Sequence, residues 1–289
     1  MAGSPPPTAS LTPALPAGAS DPTAPTRETG PVEPGSPSPA ALGTLTASTA
    51  ALPATGTPTD RPAGPRVRTI ALDPGHGGPE VGTAAPGLVE KDVNLEIARK
   101  LADLLRAGGY RVVLTRDSDR STSPDYRGGG YRGGLVRDLQ ARVDLANAVR
   151  ADLFVSIHNN GSADPSQSGT EVWYDSLRTF SDRNVALARL VEAGLLNRLR
   201  ALGYPAVERG IKDDINFRVF QGRTYNLYVL GPGTGPRQHV PTQMPGVLGE
   251  SLFLTSPGDA AMLRRESTLD AIAAGYRDAV LAYFGLYPN

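Results

Sequence analysis

Residues 67–78 read Val-Arg-Thr-Ile-Ala-Leu-Asp-Pro-Gly-His-Gly-Gly, and the fold is legible outward from them. Val67 to Leu72 is a short β-rich run, and Asp73-Pro74-Gly75 is a turn signal that stops it. Lys91 to Ala107 then places Val93, Ile97, Leu101, Leu104 and Leu105 on one helical face, ended by Gly108-Gly109. Tyr110 to Thr115 is the next strand. Leu139 to Val149 reads as a helix, Leu153 to Ile157 and Thr170 to Tyr174 as strands, and Asn184 to Leu202 as a long amphipathic helix. Short strands are expected at 216–220, 226–230 and 246–250, and a closing helix at 267–284. Strands alternating with helices predict an α/β domain with a mostly parallel, twisted sheet flanked by helices. In such sheets, ligands gather at the carboxyl ends of the strands.

The first 65 residues are different in kind. They hold 15 of the 27 prolines and no aromatic residue, and only five charges fall in the first 60 positions. Such a stretch cannot bury enough apolar surface to offset its ordering entropy. The expectation is a disordered Pro/Ala/Ser/Thr-rich spacer over 1–65, followed by one folded domain over 66–289. Among the 289 residues the formal net charge is zero and the basic residues are scattered, which gives no footprint for nucleic acid. No apolar run is long enough for a membrane span. There is no cysteine, so neither a disulfide framework nor a thiol nucleophile is available. No basic stretch followed by an apolar run opens the chain, so export is not written in these residues.

Three histidines occur: His76, His158 and His239. His76 follows the first strand inside Asp-Pro-Gly-His-Gly-Gly, and His158 ends a strand in Ser-Ile-His-Asn-Asn (156–160). Glu90 opens the first helix, where the dipole favours a carboxylate. Two imidazoles and a carboxylate on rigid element ends are candidates for a three-ligand metal site with a position left for water. Each residue alone has an ordinary structural reading: a hydrogen-bonded His after a strand, or a helix-start Glu. His239 lies in a Pro/Gly-rich stretch and is expected to face solvent.

Several motifs in order sharpen this. Asp-Pro-Gly-His-Gly-Gly (73–78) and Glu-Lys-Asp-Val-Asn-Leu (90–95) come first, then Thr115-Arg116. Leu139, Arg142, Ala146, Asn147 and Ala148 lead into Ser-Ile-His, followed by Arg-Gly-Ile-Lys (209–212) and Met-Pro-Gly-Val-Leu-Gly-Glu (244–250). Together, from Val67 to the C-terminus, they resemble the zinc-dependent N-acetylmuramoyl-L-alanine amidases of the amidase-3 type. The resemblance implies Zn²⁺ on His76, Glu90 and His158, with Glu250 as the catalytic glutamate. It implies peptidoglycan as substrate, cut between N-acetylmuramic acid and L-alanine, and an extracytoplasmic site of work for a monomer. Glu171 is read as structural or substrate-facing.

The surroundings of Glu250 depart from the family pattern. Gly249 stands where an apolar residue is usual, and Leu252 where a glycine is usual. A peptidoglycan-binding protein of the same fold with weak or absent turnover is therefore the alternative. The Gly/Arg loop at 126–134 and the segment 220–244 are longer than the family leads one to expect, and they are candidates for the border of a substrate groove.

Overall fold

The computed structural model describes residues 66–129, 134–215, 217–220, 223–233 and 240–288. The expectations for 1–65, for His239 and for residues 130–133 of the Gly/Arg loop lie outside these residues. The described elements run β1 (Thr69–Pro74), β2 (Ala84–Ala85), β3 (Leu88–Val89), α1 (Glu90–Ala107), β4 (Arg111–Leu114), α2 (Leu135–Ala148), β5 (Leu153–Asn160) and β6 (Thr170–Tyr174). They continue with α3 (Ser181–Ala201), β7 (Glu208–Asp213), β8 (Arg218–Phe220), β9 (Arg223–Tyr225), β10 (Gly246–Phe253), α4 (Pro257–Leu263) and α5 (Glu266–Leu286).

Six strands form one sheet in the order β4-β1-β5-β10-β6-β7. Every neighbouring pair is parallel except β10 and β6. Side chains alternate between the two faces of a strand, and that alternation sorts the core. Ile70, Leu72, Leu153, Val155, Ile157 and Val247 enter the larger cluster, which α1, α3 and α5 cover. Ala71, Phe154 and Leu248 enter the smaller cluster under α2. The helices carry the stripe needed to do this: Val93, Ile97, Leu101 and Leu105 of α1 are buried, as are Leu187, Val191, Leu195 and Leu199 of α3.

β7 and α4 lack a clear sequence signal, because β7 is polar and α4 is only seven residues long. The expected strand at Asn226–Leu230 is instead a turn. Leu230 and Gly231 donate to the Leu227 carbonyl at 3.1 and 2.8 Å, Val229 and Leu230 are buried in the smaller cluster, and Leu227 N–H donates to Asp214. Local helical hydrogen bonds and a carboxylate win over β propensity there. No helix among the described residues is long and apolar enough to cross a membrane.

α3 and α5 approach so closely that a Cβ at Gly194 would lie 2.4 Å from the Gly275 carbonyl oxygen. Backbone cannot yield as a side chain can. Gly194→Val is expected to destabilise the domain by about 1–3 kcal/mol, the usual cost of overpacking. A melting temperature within a degree of wild type would show that the helices can separate.

Candidate active site

The loop after β1 carries the first site residue, and it is held by the backbone of β5 and by two arginine side chains. Gly75 N–H donates to the Ile157 carbonyl at 2.9 Å, which ties the turn to β5. Arg116, just beyond β4, donates from Nε to the Pro74 carbonyl and from Nη2 to the Gly75 carbonyl, both at 2.9 Å, and to the Lys91 carbonyl at 2.7 Å. Arg142 of α2 donates to the Pro74 and His76 carbonyls at 2.9 and 2.6 Å. Both arginines are buried. Arg142 is balanced by Asp73 at 2.8 Å and Asp138 at 2.9 Å. Asp73 also accepts from Thr115 Oγ1 at 2.6 Å and Ser156 Oγ at 2.8 Å. Burial opposes its charge, but the Arg142 guanidinium and these hydroxyls hold its carboxyl below the usual range.

So clamped, the loop keeps His76 at φ 64°, a left-handed conformation that a non-glycine residue adopts rarely. His76 Nε2 and His158 Nδ1 each lie 3.0 Å from Glu90 Oε1, and the rings meet edge to face at 4.8 Å. One donor atom from each of His76, Glu90 and His158 falls within 4.8 Å of the others. Glu90 is aimed by backbone N–H groups of Thr83 at 2.8 Å and Asn159 at 3.3 Å, and by Asn94 Nδ2 at 3.3 Å. The other His76 nitrogen, Nδ1, bonds to Glu80. A ligating imidazole usually has its second nitrogen fixed by a carboxylate in this way. Burial disfavours charge on His76, yet Glu90 and Glu80 push its pKa up to about 10. Burial likewise opposes charge on Glu90, and the two imidazoles hold it well below the normal range. A His, Glu, His donor set with one water position suits a divalent metal, whose binding must displace the His76 proton.

Glu250 stands beside this group. It pairs in register with His158 on β5 and with Glu171 on β6. It also shares the sheet face of Leu248, the one opposite α1, α3 and α5. β10 continues past it to Phe253, so Glu250 lies inside the strand and not at its end. Its Oε2 is buried without a hydrogen-bond partner among the described residues. Burial, then the charges of Glu90 and Glu171, raise its pKa well above normal. A carboxyl with a free oxygen and a raised pKa can take up and return a proton. Glu171 is the opposite case. Asn160 and Trp173 donate to its Oε1 at 3.0 and 3.2 Å, and Arg209 and Lys212 to its Oε2 at 2.7 and 2.5 Å. Those cations outweigh burial and lower its pKa.

The departure at Gly249 has a steric reason. A Cβ there would meet Tyr276 Oη at 2.2 Å. That hydroxyl donates to the Gly249 carbonyl at 3.1 Å and lies 3.3 Å from Ser251 Oγ. Tyr276 of α5 thus takes up the space behind β10, and Glu250 keeps its direction on the other face.

The family model described as N-acetylmuramoyl-L-alanine amidase (Amidase_3) matches residues 70–282, the span that contains every element of this site. The chain belongs to that family. Among its relatives, the germination-specific N-acetylmuramoyl-L-alanine amidase of Bacillus subtilis (strain 168) is 31% identical over 217 residues, covering 75% of this chain and 80% of the relative. Two solved amidases share the architecture. The N-acetylmuramoyl-L-alanine amidase AmiC2 of Nostoc punctiforme is 29% identical with a TM-score of 0.58, covering 77% of this chain and 99% of that one. The CwlD amidase of Clostridioides difficile, solved in complex with the GerS lipoprotein, is 25% identical with a TM-score of 0.62, covering 76% and 99%.

All four site residues expected from the amidase resemblance are brought together, while His239 lies outside the described residues. Glu80, Asn94 and Asn159 were not singled out by sequence. Glu80 could have been suspected as a carboxylate four residues beyond His76, but Asn94 and Asn159 meet only because α1 packs beside β5.

Two outcomes follow from this geometry. A Cβ at Gly75 would lie 2.1 Å from the His158 ring. Gly75→Ala should therefore lose bound metal, by elemental analysis, while its circular dichroism stays that of the wild type; full metal occupancy would disprove the close approach. Asp73, with its depressed folded-state pKa, contributes stability that is full above about pH 4, the unfolded-state value, and is lost as pH falls from there through its lower folded-state pKa. Asp73→Asn should cost about 3 kcal/mol at neutral pH and flatten the acid limb of a stability-against-pH curve. An unchanged acid limb would assign acid sensitivity to other groups.

Proposed function

We propose that this chain hydrolyses the amide between N-acetylmuramic acid and L-alanine in peptidoglycan, using Zn²⁺ held by His76, Glu90 and His158. The observation that carries this reading is the pairing of a three-donor metal group with a carboxyl one strand away, Glu250, whose Oε2 has no partner among the described residues. When bound, zinc supplies Lewis acidity, making water a better nucleophile near neutral pH and polarising the carbonyl. Glu250 accepts the proton released by the attacking water. It then returns that proton to the alanine nitrogen as the C–N bond breaks, so the products are a lactyl carboxylate and a free amine. Asn94, Asn159 and the Thr83 amide hold Glu90 in its ligating direction, and Glu80 fixes the tautomer of His76. The substrate places the work outside the cytoplasm. The non-catalytic alternative is not favoured, because Glu250 keeps its register position beside His158 despite its altered neighbours.

The test is digestion of purified peptidoglycan by the full chain, read by mass spectrometry. Stem peptides with new L-alanine amino termini should appear, vanish with a chelator and return with zinc. Glu250→Gln should keep its zinc and lose about 10²–10⁴-fold in turnover. Glu250→Gln that cleaves at the wild-type rate would remove the proton-transfer role.

A further inference from the structure

We propose that Lys212, at the β7 edge of the site, recognises a free carboxylate on the stem residue that follows the leaving alanine. The inference rests on the proposed amidase reaction and gives it a substrate preference.

The placement comes from register. His158, Glu250 and Glu171 are successive register partners on β5, β10 and β6. Adjacent strands are about 4.8 Å apart, so Glu171 lies roughly 10 Å from His158 across the sheet. Glu250 returns its proton to the leaving nitrogen, which puts the departing peptide on the Glu250 side of the metal ligands. Continuing in that direction, the peptide crosses β6 and reaches β7. An extended peptide advances about 3.3–3.6 Å per residue, so the second stem residue falls about 7 Å from the scissile bond. Lys212 Nζ, drawn back over β6 by its 2.5 Å bond to Glu171, is at the matching distance.

The charges there do not cancel. Glu171 is one carboxylate shared by two cations, Arg209 and Lys212. Arg209 is already committed: it bonds Glu171 and Gln167 and lies over the Phe253 ring at 4.9 Å. Among the described residues, Lys212 has Glu171 as its one hydrogen-bond partner and lies over the Trp173 face at 5.3 Å. An ammonium has three donors, and the Lys212 side chain is 32% exposed. Spare donors, surplus positive charge and partial desolvation beside Trp173 are what a substrate carboxylate requires. Phe217, 38% exposed and edge-on to Trp173 at 5.0 Å, walls the same spot. The competing cationic surface is on the far side of the metal ligands, in a groove of about 640 Å³ lined by Pro79, Arg120, Ser123 and Arg127.

The experiment compares two muropeptides that differ only in the second stem residue, a free acid in one and its amide in the other. The full zinc-loaded chain is expected to favour the free acid by about tenfold in kcat/KM, carried mainly by KM, as a charged hydrogen bond contributes. In Lys212→Met the ratio between the two substrates should fall to about one, and Lys212→Arg should restore part of it. A ratio unchanged in Lys212→Met would overturn the assignment. So would equal losses on both substrates, which is the signature of a purely structural lysine. A preference abolished by Arg127→Met and kept in Lys212→Met would move recognition to the groove instead. Wild-type protein that cleaves neither muropeptide would sink the proposed function, and this inference with it.

Discussion

The structure depends on two buried guanidinium groups gripping one short stretch of backbone. Arg116 and Arg142 donate to the carbonyls of Pro74, Gly75 and His76. Without them those carbonyls would lose their charged donors, and Gly75 would keep Asn94 Nδ2 at 3.3 Å, at a cost of several kcal/mol in all. With them, the loop can hold His76 in a left-handed backbone conformation that its own sequence does not favour. The clamp also adds a polar tie to the apolar cluster between the sheet and α2, because Arg142 reaches from that helix to Asp73 at the end of β1.

The second constraint is the two-residue period of the strands. Ile70, Leu72, Val155 and Ile157 point to the three-helix layer. Asp73, Ser156 and His158 therefore point to the other face, along with Glu250 on the neighbouring strand. The same alternation that builds the core delivers polar residues to the site, and a one-residue slip of β5 would bury His158 among leucines. The antiparallel junction of β10 and β6 then sets Glu171 beside Glu250. Two carboxylates side by side are tolerable because their surroundings differ. Glu171 is neutralised from β7, whereas Glu250 Oε2 is left without a partner among the described residues.

The change at Gly249 is a packing solution. Gly249 has no side chain because Tyr276 occupies its space, and the tyrosine hydroxyl links Gly249 to Ser251 through hydrogen bonds on the helix face. The exchange takes place on the side of β10 away from the metal group, so the strand changes its support while Glu250 keeps its aim.

Much of this was written in the sequence. The apolar periodicities of 93–105 and 188–202 and the β-rich runs at 67–72 and 153–157 are local signals, and they determined the α/β class. The His76, Glu90, His158 and Glu250 motifs pointed to the candidate site through their resemblance to the amidase family, because each lies within a short string of characteristic residues. The strand order was not local information, nor was the reversal of β6 and β7. The polar strand β7 and the turn at 226–231 escaped because a partner strand and a distant carboxylate, Asp214, decide them. Glu80, Asn94, Asn159 and Lys212 acquired roles for the same reason. A hydrogen bond requires two groups within about 3 Å, and only the folded chain brings residues so far apart in sequence to that distance.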